Sequence, residues 1–184
     1  MSLQPSRGLD PESARHVRPS LNQLAALCWR PKQDGSGVEV LLVTSSTGRW
    51  ILPKGWPMSG KSPAQAAMTE AWEEAGVSKG KVSRRALGSF IGLKRTLAGD
   101  DLPCQTKVYA VKVQKTSKDF PESNRRGLIW VNPRTAATMV TEDGLRDILL
   151  HLPFAPSEAK SAAGSDEVAD PAAPAPGLTA APRP

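Results

Sequence analysis

The sequence predicts an α/β protein, a mixed β-sheet flanked by helices and packed as a sandwich. Three observations carry that reading. Apolar runs rich in Val, Leu and Ile recur between turn residues over roughly 20–153. An amphipathic helix with complete start and stop signals interrupts them, and a second helical stretch closes the apolar part of the chain.

Taken in order, residues 1–19 are polar and carry Pro5, Gly8, Pro11 and Pro19, which reads as a flexible arm. Leu21–Arg30, with Leu24, Ala25, Ala26, Leu27, Cys28 and Trp29, reads as a buried strand. A turn at Pro31–Gly37 and a strand at Val38–Thr44 complete a hairpin. Trp50–Gly55 is a further strand running into a glycine-rich loop. A helix follows over about 63–75. Ser62 is its N-cap, Pro63 suits its first position, Gln65 completes a capping box and Gly76 fits the left-handed C′ position.

Beyond the helix, Val77–Lys81 reads as a connection, and Val82–Lys94 contributes Leu87, Phe90, Ile91 and Leu93 to the core. Asp100, Asp101 and Pro103 mark a turn, Gln105–Val113 a strand, Asn124–Gly127 another turn and Leu128–Val131 a short last strand. Pro133 opens a stretch of one or two helices ending near His151, with Thr141 as N-cap of the second. From 154 to 184 the chain turns to Ala, Pro, Ser and Gly, and such a segment buries too little apolar surface to offset its ordering entropy.

The 184 residues fit one domain, at 20–153, with two tails. A formal net charge of +6 favours a polyanionic partner, whether a densely phosphorylated small molecule or nucleic acid. Cys28 and Cys104 have no metal-like spacing and read as reduced core thiols. No apolar run has the length of a membrane span and the N-terminus lacks a signal-peptide core, so the expected location is the cytoplasm.

The chemistry is concentrated on the first helix. Glu70, Glu73 and Glu74 are spaced i, i+3, i+4 and share one face, while Ala64, Ala67, Met68, Ala71, Trp72 and Ala75 fall on roughly the opposite one. Carboxylates crowded in this way repel one another unless a cation neutralises them, and a hard divalent ion bound by oxygen is the natural counter-ion.

With Gly55 upstream, this register resembles the box of the Nudix hydrolase superfamily, G-x5-E-x7-R-E-U-x-E-E-x-G-U, where U is a bulky aliphatic residue. Gly55, Glu70, Glu73, Glu74, Gly76 and Val77 match it. Lys61 stands in place of the first Glu, Thr69 in place of Arg, and Ala71 in place of a larger aliphatic. The resemblance implies an α/β/α sandwich over the domain and a pyrophosphohydrolase activity that uses Mg²⁺, with Mn²⁺ as a substitute. It also implies that Glu70, Glu73 and Glu74 are the catalytic residues, and that with the Gly55 carbonyl they hold the metal. Glu70 is then either a ligand or the base that deprotonates water.

The approach Arg49-Trp-Ile-Leu-Pro-Lys-Gly55, the pair Lys94-Arg95 and Lys107 resemble the branch that cleaves diphosphoinositol polyphosphates and diadenosine polyphosphates. Several cations must converge on such a ligand, and Arg49, Lys54, Lys61, Lys94, Arg95 and Lys107 are the candidates. Trp56 either stacks on a base or pins the loop. Two rival readings remain. One is a non-catalytic module that binds a phosphorylated ligand, which Lys61 and Thr69 suggest. The other is removal of a 5′ pyrophosphate from RNA, which the basic charge permits but no recognisable RNA-binding module supports.

Overall fold

The computed structural model describes residues 21–95, 99 and 101–154. The arm expected at 1–19 and, Phe154 apart, the tail expected at 154–184 lie outside the described residues. Phe154 itself stacks on Trp29, with ring centroids 4.2 Å apart.

Among the described residues, eight strands and three helices follow in the order β1 (Leu21–Pro31), β2 (Val38–Thr44), β3 (Trp50–Ile51), β4 (Lys54–Gly55), α1 (Pro63–Ala75), β5 (Val77–Val82), β6 (Gly88–Arg95), β7 (Asp101–Thr116), β8 (Leu128–Val131), α2 (Pro133–Met139) and α3 (Asp143–Leu150). β1 runs parallel to β7, from Leu21 opposite Cys104 to Trp29 opposite Lys112. The other described pairings are antiparallel, so the sheet is mixed. Alternate residues of the central strands feed two cores. On one face Leu24, Ala26, Cys28, Tyr109 and Val111 pack with Ala66, Ala67, Ala71 and Ala75 of α1. On the other, Ala25, Leu27 and Val108 pack with Ala136 and Ala137 of α2 and Leu145 and Leu149 of α3. This is the α/β/α sandwich that was expected.

One departure from a regular sheet positions the site. β1 and β2 pair only at one end, from Trp29 opposite Val40 to Pro31 opposite Val38. Beyond it they part, and Trp50–Gly55 fills the opening as a wedge. On one side Trp50 and Ile51 pair with Thr44 and Val43 of β2. On the other, Lys54 and Gly55 pair with Ala25 and Leu24 of β1. The Ala26 amide donates to the Pro53 carbonyl at 2.9 Å and closes the seam.

The caps of α1 match the expectation. Ser62 accepts from the Gln65 amide, the Gln65 side chain accepts from the Ser62 amide, and Gly76 is left-handed at φ 66°. The burial pattern does not match. The acidic residues do not lie on a face turned away from the sheet, because Glu70 and Glu74 are only 8% and 7% exposed, buried beside the four alanines.

Four further readings need correction. Val77–Lys81 is not a connection but most of β5, an edge strand whose lysines face solvent. Of the turn expected at Asp100, Asp101 and Pro103, Asp101 and Pro103 belong to β7, and Asp100 lies outside the described residues. Pro103 stands opposite Leu93 of the edge strand β6. Ile91 and Leu93 are 54% and 66% exposed, while Phe90 alone of the β6 trio is buried. β6 is also an edge strand, and α1 packs on β1, β2, β4, β5 and β7 instead. The N-cap of α3 is Glu142 rather than Thr141, whose hydroxyl donates to the Glu142 carboxylate at 3.1 Å.

A methyl group at Gly76 would meet the Ser117 carbonyl at 2.4 Å and the Phe120 ring at 2.7 Å, in a backbone conformation that side chains resist. Gly76→Ala is therefore expected to cost about 2 kcal/mol or more, read as a lower urea midpoint at unchanged m-value.

Candidate active site

The small side chains of α1 let the helix lie close to the wedge, and this brings Glu74 against it. The Lys54 amide donates to Glu74 Oε2 at 3.1 Å, while the Arg126 guanidinium donates to Oε1. Arg126 reaches two more acceptors, Glu122 at 2.7 Å through Nε and the Thr44 carbonyl at 2.8 Å. Burial raises the Glu74 pKa, and Arg126 and the Lys54 amide pull it back.

Glu70 lies one turn earlier, with its carboxylate directly against Gly55. A Cβ at that glycine would stand 2.0 Å from Glu70 Oε1, so only glycine leaves the space. Burial, and then the charges of Glu74 and Glu73, push the Glu70 pKa up to about 7. Glu73 is half-buried, and its carbonyl accepts from the Glu122 amide at 3.0 Å.

In front of Glu74 opens a cleft of about 440 Å³. Its lining carries six cations, Arg49, Lys54, Lys94, Arg95, Arg125 and Arg126, against three carboxylates, Glu74, Glu122 and Glu142. Ser45, Ser46 and Thr47 of the β2–β3 turn add hydroxyls. The cations are not equally engaged. Arg49 stands 3.8 Å from Glu142, and Arg95 is forked onto Asp101 by two bonds of 3.0 Å. Lys54 is half-buried, and burial together with the nearby Lys94 lowers its pKa. Lys94 and Arg125 make no ion pair among the described residues.

Of the residues singled out in the sequence, the cleft gathers Glu74, Arg49, Lys54, Lys94 and Arg95; Glu70, Glu73 and Gly55 are not among its lining, and Glu70 lies against Gly55. Lys61 and Lys107 are not among its lining. The Lys61 ammonium donates to Thr69 Oγ1 at 2.8 Å on the exposed side of α1. On β7, Cys104 and Thr106 turn to the cleft, and strand alternation sends the exposed Lys107 to the other face. Trp56, 44% exposed, also lies outside the lining. Sequence reasoning missed Glu122, Arg125 and Arg126, seeing only a turn at 124–127. An Arg pair beside a turn glycine was the one available signal.

Among the described residues, no three carboxylate, His or Cys side chains stand gathered as metal ligands, and Glu74 faces Arg126. The donor chemistry still fits a hard divalent cation. Glu70, Glu73 and Glu74 are oxygen donors on adjoining turns, and burial first, then the charges of Glu74 and Glu73, raises Glu70, a penalty that a cation beside them would relieve.

Residues 21–150 match the model of the NUDIX domain. The chain belongs to the NUDIX family. It is 33% identical over 150 residues to diphosphoinositol polyphosphate phosphohydrolase 3-beta of Bos taurus, covering 80% of this chain and 77% of that one. It is 34% identical over 131 residues to diphosphoinositol polyphosphate phosphohydrolase 2 of Mus musculus, covering 70% and 63%. Its fold is that of a C. elegans Ap4A hydrolase, with a TM-score of 0.53 at 20% identity over 71% of this chain and 93% of that one. With that family and phosphohydrolases as relatives, the protein is a Nudix pyrophosphohydrolase. No helix among the described residues is long and apolar enough to cross a membrane.

Gly55→Ala tests the contact with Glu70. The methyl would displace the end of a flexible side chain, so the fold should survive with an unchanged circular dichroism spectrum. If Glu70 reacts as the resemblance implies, turnover should fall about 10²-fold, the usual cost of a reacting group misplaced by an ångström.

Proposed function

We propose that the protein hydrolyses a phosphoanhydride bond of a diphosphoinositol polyphosphate, with Mg²⁺ as its metal. One observation carries the choice of substrate: the cleft beside Glu74 is lined by six cations and, among the described residues, offers no exposed aromatic platform. Its one aromatic lining residue among those described, Phe90, is 5% exposed and packs in the core. A ligand whose negative charge is dense and whose body is not a base suits that lining better than a diadenosine polyphosphate. Removal of a 5′ pyrophosphate from RNA is less favoured for the same reason, since unpaired bases are usually held by stacking.

The metal would be held by Glu70, Glu73 and Glu74 with the Gly55 carbonyl. It would supply positive charge to the phosphate oxygens and to the attacking water. Lys54 and Lys94 reach the cleft from two different strands and orient the polyphosphate. Arg125 adds a guanidinium from the β7–β8 connection. The proton of the attacking water goes to a glutamate of the helix, and Glu70 makes no ion pair among the described residues. The non-catalytic reading loses ground because Lys61 and Thr69 bond to each other and leave all three glutamates in place. Cys28 and Cys104, both buried and free, fit a reducing compartment such as the cytoplasm.

The test is product release from diphosphoinositol phosphates, diadenosine polyphosphates, ADP-ribose and 5′-triphosphorylated RNA, with and without Mg²⁺. Diphosphoinositol phosphates should be the best substrates. Preference for a dinucleotide or RNA would overturn the choice, and metal-independent binding without turnover would leave a binding module. Glu73→Gln and Glu74→Gln should each lower kcat by about 10²-fold or more.

A second comparison separates the cations. Lys54→Met and Lys94→Met should raise KM about tenfold, as expected for a lost charged hydrogen bond. Lys61→Met and Lys107→Met should stay within about twofold, as surface charges do.

A further inference from the structure

In the family pattern a Glu in the loop and an Arg on the helix brace the box, supporting its loop and helix; in this chain those two positions are Lys61 and Thr69. They make a single bond of 2.8 Å on the exposed side of the helix, and Thr69 also donates to the Gln65 carbonyl at 3.0 Å. Among the described residues, neither side chain is bonded to a carboxylate. The brace is missing from where the pattern puts it, yet Glu74 is not loose.

We infer that Arg126 is the positioning residue that replaces this brace, holding Glu74 from the β7–β8 connection instead of from within the box; the inference rests on the Nudix hydrolase reading of Glu74. Arg126 is 14% exposed at its side chain and donates from three nitrogens to three separate segments. Nε takes Glu122, one terminal nitrogen takes the Thr44 carbonyl at the end of β2, and the other takes Glu74 on α1.

The connection is fastened to its surroundings at further points. The Ser117 amide donates to the Gly76 carbonyl at 2.8 Å, and the Glu122 amide to the Glu73 carbonyl at 3.0 Å. At the other end Thr44 and Gly127 exchange two bonds, at 2.9 Å through the Thr44 amide and 2.8 Å through its hydroxyl. A guanidinium anchored at Thr44 and Glu122 does not follow Glu74; Glu74 follows it. With Oε2 held by the Lys54 amide, both carboxylate oxygens are aimed before any ligand arrives. A planar fork can do this and an ammonium cannot, since three acceptors in three directions need rigidly spaced donors.

The alternative is that Arg126 merely occupies Glu74 and competes with the metal. The two roles predict opposite signs. Removing a competitor tightens metal binding, whereas removing a residue that orients a ligand weakens it, commonly 10- to 100-fold.

The experiment is Mn²⁺ binding to the full chain, followed by the electron paramagnetic resonance of the free ion, with kinetics alongside. Arg126→Met should weaken Mn²⁺ binding about tenfold or more and lower kcat, with KM within about twofold. Arg126→Lys should behave like Arg126→Met, because charge alone does not restore the fork. Glu122→Gln, which disturbs the anchor without touching Glu74, should weaken binding in the same direction and keeps the test alive if the Met variant does not fold. In the Arg126→Met background, Lys61→Glu with Thr69→Arg should recover part of the lost affinity.

Equal or tighter Mn²⁺ binding by Arg126→Met would overturn the inference, as would a wild-type protein that binds no Mn²⁺. A wild type that binds Mn²⁺ but hydrolyses nothing would sink the hydrolase reading alone, while the comparison of affinities still decides the role of Arg126.

Discussion

A carboxylate taken out of water has to find its compensation nearby, and for Glu74 that compensation comes from both sides. Four alanines on α1 bring the helix close enough to the sheet to bury it. The parting of β1 and β2 exposes the one backbone amide, Lys54, that can reach one of its oxygens. The β7–β8 connection supplies the cation for the other. Remove any one and the burial of Glu74 becomes unfavourable, because an unpaired buried charge is far more costly than an exposed one. Helix, wedge and connection are thus committed to one arrangement by a single side chain, and the cleft is the space left in front of it.

The parts of this arrangement that were legible in the sequence are the local ones. Ser62, Pro63, Gln65 and Gly76 act within a few residues of themselves, so their pattern fixes the ends of α1 before any tertiary contact is known. The strands at β1, β2 and β8 were legible for a similar reason, as continuous apolar runs between turn residues. β5 was not, since a strand at the edge of a sheet can afford lysines and a glycine where a central strand cannot. The two halves of the clamp were also hidden. Arg126 lies 52 residues from Glu74 and 82 from Thr44, and nothing local announces either contact. The faces of Lys61 and Lys107 turned on strand parity and on one side-chain bond, which a list of basic residues near a motif cannot resolve.

The electrostatics of the cleft bear on what it can admit. Burial, and then the charge of Lys94, lowers the Lys54 pKa, so a negative group beside it is favoured. Arg95 is already matched to Asp101, and Arg49 lies near Glu142, which keeps these long side chains at the rim. The unbalanced charge therefore sits at Lys54, Lys94 and Arg125, close to Glu74 and not spread along a groove. An extended polyanion would need cations at regular intervals over a longer path. A compact ligand with several phosphates brings the charge to one place, and it can meet Lys54 and the acidic helix together only if its phosphates lie on both sides of the bond to be broken. On the proposed reading, the same placement that favours dense negative charge would also select where along the ligand the reaction occurs.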